Sequence, residues 1–234
     1  MLLDTHFKDG VIEEEINMTK YMIHAMPKRM WYVQEFLIPS MIQQGIPAHD
    51  IKVYNDEKGE GNLRACMNAF KQVSTHSEGT WHLQDDVIIS HDFKDKTETY
   101  DTGIVCGFNS MYDETLPSGE VVFENMWFSF PCIRIPNQIA RECADWVLTY
   151  MIGNPVYKYY WEAGVNDDWM FRYFVKDHYK NVPILNLDPN IVDHIDYLIG
   201  GTVNSSKRSV QIRSKRWKDE YLVTKLAEQL NARR

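Results

Sequence analysis

The nine residues Trp81-His82-Leu83-Gln84-Asp85-Asp86-Val87-Ile88-Ile89 decide how this chain is read. The first four suit a strand, and the last three begin a second apolar run. Between them stand two adjacent carboxylates. Burying both in such company is costly unless something neutralises them. A hard divalent cation with oxygen ligands would do that, and it would also hold a diphosphate. Taken alone, an Asp-Asp pair is more often two solvated carboxylates in a turn. The sequence upstream is what raises the functional reading above that.

Met22-Ile23-His24-Ala25-Met26 is a short, mostly apolar run that suits a strand buried on both faces. Pro27-Lys28-Arg29 then opens a segment with Met30, Val33, Leu37 and Met41 at helical spacing, which Pro39 is expected to kink or split and Gly45 and Pro47 to end. Ile51-Lys52-Val53-Tyr54 reads as a second strand, closed by Asn55-Asp56 and the turn-rich 57–61, and a helix is expected over about 62–73. Strand, helix, strand, helix, strand in this compass implies a parallel sheet with helices on its faces. Ligands of such sheets sit beyond the carboxyl ends of the strands. That rule selects the stretch His24 to Arg29, Asn55-Asp56 and Asp85-Asp86.

Farther along, strands are expected over 102–108 and 121–130, around a polar turn. A helix is expected over 135–150, a shorter one after Asn166-Asp167-Asp168, and a polar terminal helix from Arg216. The chain has 234 residues, 44% hydrophobic and 25% charged, which excludes a disordered or low-complexity chain. No apolar stretch reaches the length of a membrane span, and no secretory leader is visible, so a cytoplasmic protein is expected. Cys66, Cys106, Cys132 and Cys143 form no CxxC pair and read as buried thiols. The net charge of −8 argues against a general nucleic-acid binder. It is uneven, however: 207–218 holds six basic residues and no acid, which leaves the remainder near −14. A solvated segment and a contact for a polyanion or phosphate-bearing ligand both fit it.

Two more places can carry chemistry. His194, beside Asp193 and far along the chain, is able to join Asp86 in a metal shell, although a lone histidine is more often structural. Asp168, at an expected helix start among aromatics, is a candidate general base; the alternative is ordinary capping, for which Asp167 is better placed. GxGxxG, GxxxxGK[ST], GxSxG and zinc-finger spacings are absent.

Taken in order, these residues resemble the GT-A class of nucleotide-sugar glycosyltransferases, particularly compact bacteriophage-encoded forms. The resemblance covers roughly 16–200 and rests on four short motifs, that around Asp85-Asp86 being the most specific. It implies an α/β fold with a Rossmann-like, mixed, mainly parallel sheet flanked by helices. One catalytic domain would span 1–234: a nucleotide-sugar-binding part over about 16–110, an acceptor side over about 111–203, a basic loop over about 204–218 and a terminal helix over about 219–234. Asp56 matches the carboxylate that contacts the nucleoside, and Arg29 a basic residue near the base or diphosphate. Asp85-Asp86 matches the DxD-type motif, whose last carboxylate ligates a divalent metal (manganese or magnesium), and His194 matches the histidine completing that shell. Asp168 matches the base of inverting members. Lys207, Arg208 and Arg213 lie where members carry a loop over the donor phosphates. The chain departs from the pattern at Gln84, where an acid is usual and an amide ligates more weakly. The implied donor is a nucleoside-diphosphate sugar, UDP-linked above all. The acceptor favoured is a hydroxymethylated pyrimidine in DNA, for which Trp161, Trp169 and Trp217 leave room to hold a flipped base, with a surface glycan or a protein as alternatives. A nucleotidyltransferase, a nucleotide-sugar hydrolase and a non-catalytic binding module are the competing readings.

Overall fold

Near-continuous apolar runs give the central segments two buried faces, and a sheet with helices on both sides results. The computed structural model describes residues 19–75, 77–109, 119–122 (backbone only), 130–158, 167–180, 182–200 and 217–233. Its strands are β1 (Tyr21–Ala25), β2 (Ile51–Asn55), β3 (Gly79–Gln84), β4 (Val87–Ile89), β5 (Ile104–Cys106), β6 (Gly119–Val122), β7 (Cys132–Pro136), β8 (Pro183–Asn186) and β9 (Val192–His194). Seven of them form one sheet in the order β2-β1-β3-β7-β5-β8-β6, and β4 pairs with β9. β1 runs parallel to β2 and β3, and β5 parallel to β8. β7 is antiparallel to β3 and β5, and β6 to β8. Five strands therefore point one way and two the other, which is the mixed, mainly parallel sheet that the GT-A resemblance implies.

The helices are α1 (Met30–Tyr32), α2 (Ile38–Gln43), α3 (Asn62–Lys71), α4 (Phe93–Thr99), α5 (Asn137–Trp146), α6 (Asp167–His178), α7 (Asp196–Ile199) and α8 (Glu220–Asn231). Side chains alternate between two cores. Tyr21, Ile23, Trp81 and Leu83 face one that includes Tyr32, Leu37 and Phe93. Ile104, Cys106, Ile133 and Ile135 face the other, built on α3, α5 and α6 with Phe70 and Phe171. All four cysteines are free and buried. Burial pushes the thiols of Cys66, Cys132 and Cys143 well above their ordinary pKa, which leaves them poor nucleophiles. No helix among the described residues is long and apolar enough to cross a membrane.

Several local expectations shift. Pro39 splits its helix through a π-helical turn, Val33–Leu37, between α1 and α2. Proline has no N–H for the carbonyl of Glu35 and its ring crowds that carbonyl, and a wider turn relieves both. The strand expected over 102–108 is only β5. Of the one expected over 121–130, β6 occupies Gly119–Val122, and 123–129 lie outside the described residues. The buried strand of this region is β7, whose last two residues had fitted the start of a helix. Period-two alternation of Cys132 and Arg134 with Ile133 and Ile135 wins there, and α5 begins only after Pro136. The helix after Asn166 has 12 residues, longer than expected because Met170, Phe171, Phe174 and Val175 give it a continuous buried stripe.

Candidate active site

The parallel strands β1, β2 and β3 deliver their carboxyl ends to one edge, with Ala25 paired to Asn55 and His24 to both Tyr54 and Gln84. Beyond that edge, the N–H of Met26 donates to Asp85 Oδ2 at 2.7 Å. Arg29 ends the 3-10 turn Pro27–Arg29 that follows β1. Its Nη1 donates to Asp85 Oδ1 at 2.7 Å and to Asp86 Oδ2 at 2.5 Å, while Nε donates to the carbonyl of Gly200 at 3.0 Å. All three charged side chains are buried. The internal cation needed to bury Asp85-Asp86 is thus supplied by Arg29.

His194 arrives through the small ladder, where Val87 of β4 pairs with His194 of β9 and the Ile195 N–H donates to the Asp86 carbonyl at 2.8 Å. That register sets His194 Nε2 3.1 Å from Asp86 Oδ2, and Nδ1 lies 3.4 Å from Asp196 Oδ1. Tyr32 fastens the same corner by donating to the Val87 carbonyl at 2.8 Å. Gly107 permits the approach of the chain leading into β9: a Cβ there would stand 2.7 Å from Ile191 Cγ1 and 2.9 Å from Cys132 Sγ.

Burial alone would raise Asp86, but His194 and Arg29 outweigh it and hold this carboxyl well below the usual range. His194 is raised correspondingly: its burial is outweighed by the Asp86 charge. Asp85 is pushed up to about 6 by burial and by Asp86, against the pull of Arg29 and the Met26 amide. Of the two adjacent carboxyls, Asp86 is therefore the one that keeps the charge.

Among the described residues no cluster of three or more His, Cys, Asp or Glu side chains is arranged for a metal. Two donors do converge. Asp86 Oδ1 is buried and has no hydrogen-bond partner among the described residues, and the imidazole of His194 is its neighbour. A carboxylate oxygen left free in this way suits a hard cation whose remaining ligands are phosphate oxygens and water. Both Asp85 oxygens are engaged, by Arg29 and by the Met26 amide, so Asp86 and His194 are the pair that fits.

Asp56 follows β2 on the same edge, its N–H bonded to the Ala25 carbonyl at 2.9 Å. Its carboxylate accepts from the amides of Glu60 at 2.9 Å and Gly61 at 3.2 Å, closing the turn that leads into α3. Asn62, the first residue of α3, donates from Nδ2 to Asp167 Oδ1 at 2.9 Å. Through that bond the start of α6 is brought to the end of the sheet where Asp56 lies. Asp167 is buried and also bonded to the Cys66 thiol; burial pushes it up to about 6. Asp168, half-buried, accepts its neighbour Trp169's N–H at 2.8 Å and is pushed up to about 7 by burial and the Asp167 charge. A carboxyl poised near neutrality suits a general base.

Lys207, Arg208, Arg213 and Trp161 lie outside the described residues. Trp217 is buried, so it offers no open ring face to a base, and Trp169 stacks on Tyr173 with the Arg172 guanidinium 5.4 Å from its ring centroid. Half-buried His24 of β1 bonds the buried His82 of β3 at 2.8 Å. Sequence reasoning missed Asn62 and the Met26 amide. A polar residue directly after Gly61 at a helix start was the signal for the first, and no side-chain pattern marks the second.

No protein-family model and no curated relative matches the sequence. Among solved structures, the glycosyltransferase GlyE of Streptococcus pneumoniae is 9% identical, with 92% of this chain and 64% of that one covered and a TM-score of 0.45. A Drosophila beta-1,4-galactosyltransferase 7 variant in complex with manganese, UDP-Gal and xylobiose is 10% identical, covering 87% of this chain and 79% of that one at a TM-score of 0.42. A 4-diphosphocytidyl-2C-methyl-D-erythritol synthase from Anaerococcus prevotii is 9% identical over 92% of this chain and 98% of its own, with a TM-score of 0.40. All three likenesses are distant.

Proposed function

We propose that the chain is a glycosyltransferase that moves a sugar from a nucleoside-diphosphate donor, UDP-linked above all, to an acceptor hydroxyl. The observation that carries this reading is the free, buried Oδ1 of Asp86 beside His194, at the carboxyl edge of parallel strands. Asp86 and His194 would hold a divalent ion, which when bound supplies positive charge to the departing diphosphate. Arg29 and the Met26 amide fix Asp85 and orient the corner. Asp56 faces the nucleoside, and Lys207, Arg208 and Arg213 contact the donor phosphates. Asp168 takes the proton of the acceptor hydroxyl as that oxygen bonds to the anomeric carbon. The bond from that carbon to the diphosphate breaks, and its electron pair leaves with the nucleoside diphosphate.

The acceptor we favour is a hydroxymethylated pyrimidine in DNA. Its support is the basic 207–218 segment on an otherwise acidic body, which gives local rather than extended phosphate contact. The test incubates the protein with UDP-sugars and manganese, with and without DNA carrying hydroxymethylpyrimidines, and measures nucleoside diphosphate released and sugar transferred. DNA-dependent release is expected. Release only with glycan or protein acceptors would overturn the acceptor, release of pyrophosphate would point to nucleotidyl transfer, and binding without turnover to a non-catalytic module.

A further inference from the structure

The exposed side chain of Asn62 opens α3, yet it spends its amide on a buried carboxylate 105 positions away. The helix start does not need it, since Gly61 stands at the N-cap with φ of 87° and no side-chain cap is made. The preceding turn is itself anchored, because the Asp56 carboxylate holds the amides of Glu60 and Gly61, and the Asp56 N–H is tied to the carbonyl of Ala25. A continuous path thus runs from the end of β1 through Asp56 and Asn62 to Asp167, and Asp168 is the next residue. We infer that Asn62 is a positioning residue for Asp168, acting through Asp167, and that it couples the end of the sheet beside Asp56 to the start of α6.

The inference rests on the assignment of Asp168 as base. Its physical content is a division of charge within the pair. The Asn62 amide stabilises the ionised form of Asp167, and an ionised Asp167 makes its neighbour a stronger base. Among the described residues the other charged or titratable groups acting on the pair are Cys66 of α3, bonded to Asp167, and Arg172 of α6, which opposes the rise at Asp168. Without Asn62 the negative charge on Asp167 loses a partner, Asp167 holds its proton to higher pH, and Asp168 becomes less basic.

The experiment uses the full chain with Asn62→Ala and Asn62→Asp. Both changes fall on an exposed side chain, and equal thermal midpoints would show that folding is intact. In Asn62→Ala, kcat should fall by about tenfold, within what one misplaced base contributes, with the donor KM unchanged. The acidic limb of its pH profile should move to lower pH. Asn62→Asp sets a like charge against Asp167 and should lose more. Carboxyl-carbon NMR of the free protein reads the same downward shift at Asp168 with no turnover required. An unchanged limb and an unchanged Asp168 titration in Asn62→Ala would overturn the inference, even if kcat fell. If Asp168→Asn retained turnover, the assignment of the base itself would fall, which is a separate outcome.

Discussion

The dipeptide Asp-Asp occurs twice in this sequence, and the fold treats the two copies in opposite ways. Asp85-Asp86 is buried against Arg29 and His194, and Asp86 stays ionised far below the usual carboxylate range. At Asp167-Asp168 the bonded partners among the described residues include the Asn62 amide, the Cys66 thiol and the Trp169 N–H, and burial raises both carboxyls. The same two side chains thus become a fixed charge in one place and a proton acceptor in the other. A transfer reaction with an anionic leaving group needs one of each. Local sequence does not decide which is which; the cations brought by distant segments do.

The largest effect expected is at the fixed charge. Asp86→Ala should abolish measurable transfer, because several kcal/mol of leaving-group stabilisation corresponds to about 10³-fold or more in rate. Manganese should restore activity to chelated wild-type protein and not to this variant. Full wild-type activity in excess chelator would sink the metal role and pass it to Lys207, Arg208 or Arg213. Asp168→Asn comes next: donor affinity kept and turnover down roughly 10²–10⁴-fold, as for loss of a general base. Isothermal titration with the donor beside a turnover assay reads both quantities, and near-normal turnover would make Asp168 a helix-start residue only.

The strand-end placement of the first copy was legible before any coordinates. Short apolar runs followed by Arg29, Asp56 and Asp85-Asp86 pointed to the carboxyl edge, because strand length and the placement of ligands on parallel sheets are local and topological rules. The role of Arg29 was not legible. Nothing in Pro27-Lys28-Arg29 shows that its guanidinium turns inward onto two carboxylates nearly 60 residues away. His194 was picked out as a solitary residue, but its distance from Asp86 depends on the β4–β9 register, a long-range pairing of two three-residue strands too short to read. β7 was missed because Ile133, Ile135 and Ile139 fit both a strand period and a helix period across the junction at Pro136.

Arg29 offers a third way to sharpen the comparison. Arg29→Met removes the buried cation and leaves two carboxylates without it, which should destabilise the fold by about 3–5 kcal/mol. Denaturant unfolding measures it. Arg172→Met, beside the other dipeptide, should cost under about 1 kcal/mol, because its half-exposed charge is screened by solvent. Comparable losses in the two variants would mean that the dipeptides are not held differently after all.

The smallest effect is in the pH dependence of stability, and its sign separates the two copies. Asp86 has a folded pKa below that of the unfolded chain, about 3.9. Its contribution is therefore fully present above that value and is lost only as pH falls through the folded pKa. Asp168 is the reverse case. Raised to about 7, it keeps a proton in the folded protein that the unfolded chain has already released, so its contribution falls as pH rises from about 4 through 7. Asp168→Asn should then already be slightly more stable than wild type near pH 5, because the unfolded wild type has released a proton that its folded state keeps. Near pH 8 the variant should be the more stable, on the order of 1–2 kcal/mol, since the wild type alone carries the desolvated charge and partial exposure of Asp168 tempers that cost. Asp86→Asn should be less stable than wild type at both pH values, by a similar amount at each, because Asp86 is ionised throughout. Urea unfolding of the three proteins at the two pH values decides it. A pH-independent difference for Asp168→Asn would show that Asp168 titrates like an ordinary surface carboxylate, and the contrast between the two dipeptides would then reduce to Asp167.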